Sequence, residues 1–168
     1  TIHQLDYDSR GRRTADRVTD VGTGVEDAVL RIETAYDNLG HVTFVTSYDA
    51  DDGGDVVNQV ERKYDPFGQL KSDAQAHEGE VTETTPEVGY LHADGSANTA
   101  RLEDIIYPDG LRTIRLGYGA PNAAGDWLSR VEKVEDASTT SWDVASYSYL
   151  GADTSVISAY AEPEVELT

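Results

Sequence analysis

An all-β chain is the fold this sequence predicts: repeated antiparallel hairpins, laid side by side as a long twisted ribbon or spiral sheet, with no substantial helix. Three observations point there. Tyr64-Asp65-Pro66-Phe67-Gly68 recurs as Tyr7-Asp8-Ser9-Arg10-Gly11 and Tyr36-Asp37-Asn38-Leu39-Gly40. Each copy reads as a strand end, a four-residue turn and a strand start. Asp at the first corner can accept hydrogen bonds from the turn's own backbone, and Gly at the fourth tolerates a positive φ. Around the second copy, Leu30, Ile32, Thr34 and Tyr36 alternate on one side, and Val42, Phe44, Thr46 and Tyr48 on the other. Alternation on both sides of a turn signals a hairpin. Finally, 10 Tyr stand against 2 Phe, 2 Trp and no Met, which suits half-buried sheet faces with a wet hydroxyl at one end.

Pro66 sits at the second corner of its turn, where its fixed φ already fits a type I turn. Tyr107-Pro108-Asp109-Gly110 is a variant with Pro and Gly in the same two corners, and looser relatives follow Tyr90 (Asp94-Gly95), Tyr118 (Gly125) and Tyr149 (Leu150-Gly151). The first five of these tyrosines are 29, 28, 26 and 17 residues apart. That is too irregular for a propeller or a tight solenoid, and it suits hairpins of unequal length.

In order, Thr1 to Tyr7 is a strand entering the first turn, and Arg12 to Val21 leads out to a loop at Gly22-Thr23-Gly24. Val25 to Tyr36 fits both helical spacing and alternation, and the turn that follows decides for strand. Asp49 to Asp55 is an acidic loop, Val56 to Tyr64 and Leu70 to Ala76 are strands around the central turn, and residues 77–87 are a polar protrusion. Leu102 to Tyr107 and Leu111 to Tyr118 form a hairpin whose apolar positions are Ile106, Ile114 and Leu116. Gly119 to Asp126 is a loop. Leu128 to Glu135 and Ser141 to Leu150 make another strand pair, with Trp142, Tyr147 and Tyr149 buried. Ala159 to Thr168 is an acidic extended tail, in which Val165 to Thr168 reads as a strand feeding a further turn. The domain expectation is one run, 1–168, of about six hairpin repeats cut from a longer repeat chain.

Net charge −19 argues against nucleic acid and against anionic lipid as partners. No stretch approaches the ~18 apolar residues of a membrane-spanning helix, so no membrane insertion is expected. The absence of Cys excludes disulfides, thiol catalysis and thiolate metal sites. His3, His41, His77 and His92 are too scattered for a zinc motif and read as surface or strand residues. Gly22-Thr23-Gly24 and Gly117-Tyr118-Gly119 lack the third glycine and the helix of a dinucleotide site. No G-x-S-x-G elbow is present. Asp49, Asp51, Asp52 and Asp55 form a weak calcium candidate: oxygens stand at the first and third loop positions, but glycine at the fifth and no Glu at the twelfth. No cofactor and no enzymatic activity are expected.

In the turns quoted above the chain resembles the YD-repeat, or Rhs, family, whose pattern is Tyr-Asp, two variable residues, Gly, one variable residue and an apolar one. Gly40-His41-Val42 and Gly68-Gln69-Leu70 match through the last position, while Gly11-Arg12-Arg13 departs at it. Thr46-Ser47-Tyr48-Asp49, Val56-Val57-Asn58-Gln59-Val60, Ile106-Tyr107-Pro108-Asp109-Gly110 and Tyr147-Ser148-Tyr149-Leu150-Gly151 also resemble pieces of large bacterial Rhs proteins. The resemblance implies a ribbon of hairpins wound into a spiral sheet, used as a hollow shell around a toxin or as an extracellular barrel in adhesion. Some members carry a self-cleaving aspartyl protease marked by paired Asp-Pro-x-Gly motifs. Here only Asp65-Pro66-Phe67-Gly68 is present, and it reads as a turn.

The expected function is therefore structural: a wall, fibre or scaffold segment of a bacterial protein, exported to the cell surface or beyond. Its expected partners are neighbouring repeats of the same chain or further copies of itself. The alternatives are a segment of a toxin-encapsulating shell, or an adhesin that binds glycans through Trp127 and Trp142.

Overall fold

The structure, a computed structural model, describes residues 1–93, 100–138, 142–151 and 155–159. It is nearly all antiparallel β-sheet and divides into two compact units, Thr1–Glu87 and Val88–Thr168. In the first unit β1 (Ile2–Tyr7), β2 (Arg13–Asp20), β3 (Arg31–Tyr36), β4 (Val42–Tyr48), β5 (Val56–Tyr64) and β6 (Leu70–Ala76) lie side by side in chain order. Each neighbouring pair is antiparallel. In the second, β7 (Glu87–His92), β8 (Leu102–Ile106), β9 (Thr113–Gly117), β10 (Lys133–Asp136), β11 (Trp142–Tyr149) and β12 (Ser155–Ala159) repeat that arrangement. The single short helix among the described residues, α1 (Ala124–Trp127), lies between β9 and β10.

The Tyr-Asp turns are three-residue hairpin loops. In the first, Asp8 N–H donates to the Arg12 carbonyl and Gly11 N–H to the Asp8 carbonyl, at 2.9 and 3.0 Å. Asp37 with His41 and Gly40, and Asp65 with Gln69 and Gly68, repeat both bonds. This is a type I turn closed by a bulge whose glycine must be left-handed; Gly40 has φ +101° and Gly68 +81°. The register shifts beside Tyr7, Tyr36 and Tyr64 are that bulge. The Pro108-Asp109-Gly110 turn is one residue longer: Tyr107 N–H reaches Arg112, and Gly110 N–H reaches Tyr107.

The buried apolar positions are mostly alanines, Ala15, Ala74, Ala76, Ala93 and Ala145, joined by Tyr118, and no large side chain among the described residues is fully buried. Across the first unit one row of opposed residues runs Ala15, Glu33, Thr46, Gln59, Ala76. Gln59 donates to the Thr46 hydroxyl within it, at 2.9 Å. Such a sheet is held by backbone ladders and cross-strand pairs more than by a deep apolar core.

Several expectations shift. β3 starts at Arg31, so Val25 to Leu30 is not strand; Val25 is exposed, and only Leu30 keeps ladder bonds, to Val18 and Tyr48. Ile105, and not Ile106, opposes Ile114; Ile106 opposes Thr113 on the other face and is exposed, because alternation gives the two isoleucines opposite sides. The loop foreseen over 119–126 runs into α1, and β10 begins at Lys133 instead of Leu128. Trp142 stands at the first position of β11 and is 52% exposed. Tyr90 lies inside β7 and not at a strand end. Asp94-Gly95, Ser141 and the tail beyond Ala159 lie outside the described residues.

Candidate functional site

The side chains with the most repeated geometry gather where odd-numbered strands of the first unit run into their Tyr-Asp turns. Asp8 is the template. Its Oδ1 accepts from the Arg10 and Arg12 backbone N–H groups at 2.8 and 2.9 Å, and its Oδ2 accepts from Arg12 Nε at 2.7 Å. Asp37 does the same: Oδ1 takes the Leu39, Gly40 and His41 N–H groups, and Oδ2 meets His41 Nδ1 at 2.8 Å. Asp65 accepts from Phe67 and Gln69. Thus each aspartate organises its own turn, and the first two also orient the residue just after the turn glycine.

That oriented residue reaches the next hairpin. The Arg12 guanidinium lies over the Tyr36 ring at 4.3 Å, and His41 stacks on Tyr64 with centroids 4.7 Å apart and planes 26° from parallel. Each of these tyrosines then donates its hydroxyl to the carbonyl one residue further on, Tyr36 to Arg13 and Tyr64 to Val42, both at 2.9 Å. A rung therefore has three parts: an aspartate, a cationic or imidazole side chain, and the next hairpin's tyrosine. Arg10 adds a bond from Nη1 to the Asn38 carbonyl.

The second unit uses the same device without a Tyr-Asp turn. Arg101 covers Tyr118 at 4.4 Å, and the Tyr118 hydroxyl donates to Leu102 at 2.5 Å. Arg130 covers Tyr149 at 4.9 Å, and the Tyr149 hydroxyl donates to Val131 at 2.6 Å. In all four cases residue n covers the ring and the carbonyl of n+1 receives the hydroxyl. The acid for Arg101 comes from α1, where Asp126 Oδ1 lies 2.7 Å from Nη2. Arg130 instead donates to the Gly151 carbonyl beside the tyrosine. Arg12 Nη1 and Arg101 Nε are buried without a hydrogen-bond partner, and the negative ring face beneath each guanidinium supplies the compensating electrostatics.

The charges respond accordingly. His41 is the main cause that holds Asp37 down to about 2, helped by three backbone N–H donors and opposed by burial. The Arg12 backbone N–H first, then its guanidinium, lowers Asp8. Asn122 N–H and then Arg101 lower Asp126. Burial raises Tyr118, so this phenol stays a donor. These shifts favour ionised Asp8, Asp37 and Asp126 and a protonated Tyr118.

At the opposite end of the first unit, two arginines hold the acidic loop. Arg31, only 5% exposed, covers Tyr48 at 3.9 Å and donates to the Ala50 carbonyl. Its cross-strand neighbour Arg17 donates to the Asp51 carbonyl at 2.6 Å. Asp49 Oδ1 accepts the Asp55 N–H at 2.7 Å, while the Asp52 side chain is almost fully exposed. The four aspartates of the calcium candidate are therefore not brought together, and no group of three acidic or histidine side chains among the described residues is placed to hold a metal.

Of the other residues singled out in the sequence, His3 pairs with Asp16 at 2.9 Å. Asp65-Pro66-Phe67-Gly68 forms its turn through a 3.0 Å bond from Gly68 N–H to the Asp65 carbonyl. Trp127 and Trp142 are both largely exposed. A groove of about 410 Å³ opens on the first unit among Asp6, Arg17, Glu33, Thr46, Tyr48 and Gln59, in which Arg17 is paired with Asp6 and Gln59 with Thr46. Sequence reading missed Arg12, His41, Arg101 and Arg130. For the first two the signal was available: each directly follows a turn glycine. Comparison with family models and with curated proteins finds no match for this chain.

Proposed function

We propose that the chain is a structural segment of a bacterial extracellular or cell-surface YD-repeat protein, a wall or fibre built of stacked β-hairpins. The observation that carries this reading is the rung: Tyr36 and Tyr64 each complete the hairpin before their own, so each of the first two hairpins is finished by its successor. Isolated hairpins are marginal in water, and neighbour-to-neighbour completion lets a chain grow by repetition without one deep core. The alanine-rich interior fits that economy, and the acidic surface keeps such a ribbon soluble. The bacterial surface setting comes from the family resemblance.

Electron microscopy of the parent protein tests the reading. An extended or hollow wall with strands about 4.8 Å apart supports it. A compact particle in which these residues line a catalytic cleft overturns it.

The exposure of Trp127 and Trp142 favours a second reading, an adhesin that stacks sugars on them. A glycan array compared with Trp127→Ala and Trp142→Ala variants decides it, and binding that survives both substitutions removes it.

A further inference from the structure

Tyr7 and Gly11 repeat the pair that elsewhere receives a rung. At Tyr36 and Gly40 the Arg12 guanidinium covers the ring at 4.3 Å, and its Nη1 lies 3.6 Å from where a Cβ on Gly40 would stand. At Tyr64 and Gly68 the His41 ring takes both places, with Nε2 only 2.8 Å from such a Cβ. Tyrosine and glycine together thus form a seat for the preceding hairpin. The backbone at Gly11 is the same, with φ +78° and its N–H bonded to the Asp8 carbonyl at 3.0 Å. Yet a Cβ on Gly11 would meet nothing within 4 Å. Tyr7 is 58% exposed, and its hydroxyl has no partner among the described residues. β1, which carries it, is the first strand of the sheet order, and among the described residues it pairs with β2 alone and its outer edge is open. Ile2 and Leu5 on that strand are exposed as well.

We propose that this edge, with Tyr7 and Gly11, is the docking site for a further hairpin of the kind formed by residues 31–48. Its returning strand starts with Arg or His directly after the turn glycine and pairs antiparallel with β1. The inference rests on the scaffold reading and adds a recognition rule to it. Backbone bonds give affinity to any strand. The seat selects a strand whose first side chain is a cation or imidazole, because only such a group covers the Tyr7 ring, fills the space over Gly11 and brings the next carbonyl to the hydroxyl. A chain of net charge −19 further favours a cationic side chain there.

The test adds a peptide of residues 31–48 in trans to the full 168-residue chain and follows backbone hydrogen exchange by NMR. Slowed exchange confined to residues 2–7 is expected. Peptide His41→Arg should bind at least as well. Peptide His41→Ala, which loses the ring contact, should bind about fivefold more weakly, and chain Tyr7→Ala, which loses the hydroxyl bond as well, about tenfold. Tyr7 is exposed, so the Tyr7→Ala chain should melt like the parent, which keeps the comparison clean. Absent protection, protection elsewhere, or equal binding of peptide His41→Ala each overturns the proposal. The scaffold reading survives such a failure if Tyr36→Phe and Tyr64→Phe still destabilise the chain, so the two are separately testable.

Discussion

His41 lies stacked on Tyr64, with ring centroids 4.7 Å apart, while its Nδ1 is bound to Asp37 at 2.8 Å. One imidazole thus joins the turn of one hairpin to the strand end of the next. The Tyr64 hydroxyl closes the circuit by donating to the carbonyl of Val42, the residue that follows His41. Arg12, Asp8 and Tyr36 repeat the arrangement.

Tyr36→Phe and Tyr64→Phe each remove only the donated hydroxyl and should each cost about 1 kcal/mol, a typical net value for one hydrogen bond. Tyr7→Phe should fall within about 0.5 kcal/mol of the parent, since that hydroxyl is unpaired among the described residues and its ring is exposed. Denaturant midpoints measured side by side give the comparison. Equal effects at all three positions would show that the rungs add nothing.

Gly11 and Gly68 separate strain from crowding. Both are left-handed, at +78° and +81°, so alanine at either should cost about 1–2 kcal/mol in backbone strain. A Cβ at Gly68 also comes within 2.8 Å of His41 Nε2, whereas one at Gly11 meets nothing within 4 Å. Gly68→Ala should therefore cost about 1–3 kcal/mol more than Gly11→Ala. Adding His41→Ala to Gly68→Ala should recover much of that difference in thermal melts.

The Tyr-Asp turns were legible because their determinants are local: an aspartate and a glycine within five residues fix the loop, and alternation on either side fixes the strands. The rungs were not, because Tyr36 reaches a carbonyl 23 residues away and Tyr64 one 22 away, through a position that holds Arg in one repeat and His in the other. Tyr118 and Tyr149 use the same contact with no Tyr-Asp turn to announce it. Ile106 was misplaced because two adjacent isoleucines satisfy either alternation until the register with Ile114 is known. Val25 to Leu30 had the right composition for a strand, but β2 and β4 give ladder bonds only to Leu30 within it.

Acid should weaken the His41 rung through Asp37. That carboxyl titrates near about 2 in the folded chain, below the ~3.9 of an unfolded aspartate. A depressed folded value means the unfolded chain binds the proton first. Its contribution is therefore fully present above about pH 4 and disappears as pH falls towards about 2. Asp37→Asn removes that contribution at every pH. The gap in denaturant midpoint between parent and Asp37→Asn should thus be widest above about pH 4 and shrink towards pH 2. A gap that stays constant with pH would show that the carboxylate charge does not hold the rung.

Calcium should leave the acidic loop unchanged. Asp49 is committed to the Asp55 N–H, the Ala50 and Asp51 carbonyls receive arginine donors, and the exposed Asp52 carboxylate faces Arg17 Nη1 at 3.8 Å. A calcium site needs six or more oxygens converging at about 2.4 Å, and the loop would have to surrender these bonds to provide them. Millimolar calcium or a chelator should therefore not move the melting temperature, whereas Asp49→Ala should lower stability by about 1 kcal/mol through the bond lost at Asp55. A calcium-dependent rise in melting temperature that disappears in Asp49→Ala would reverse this assignment and make the loop a metal site.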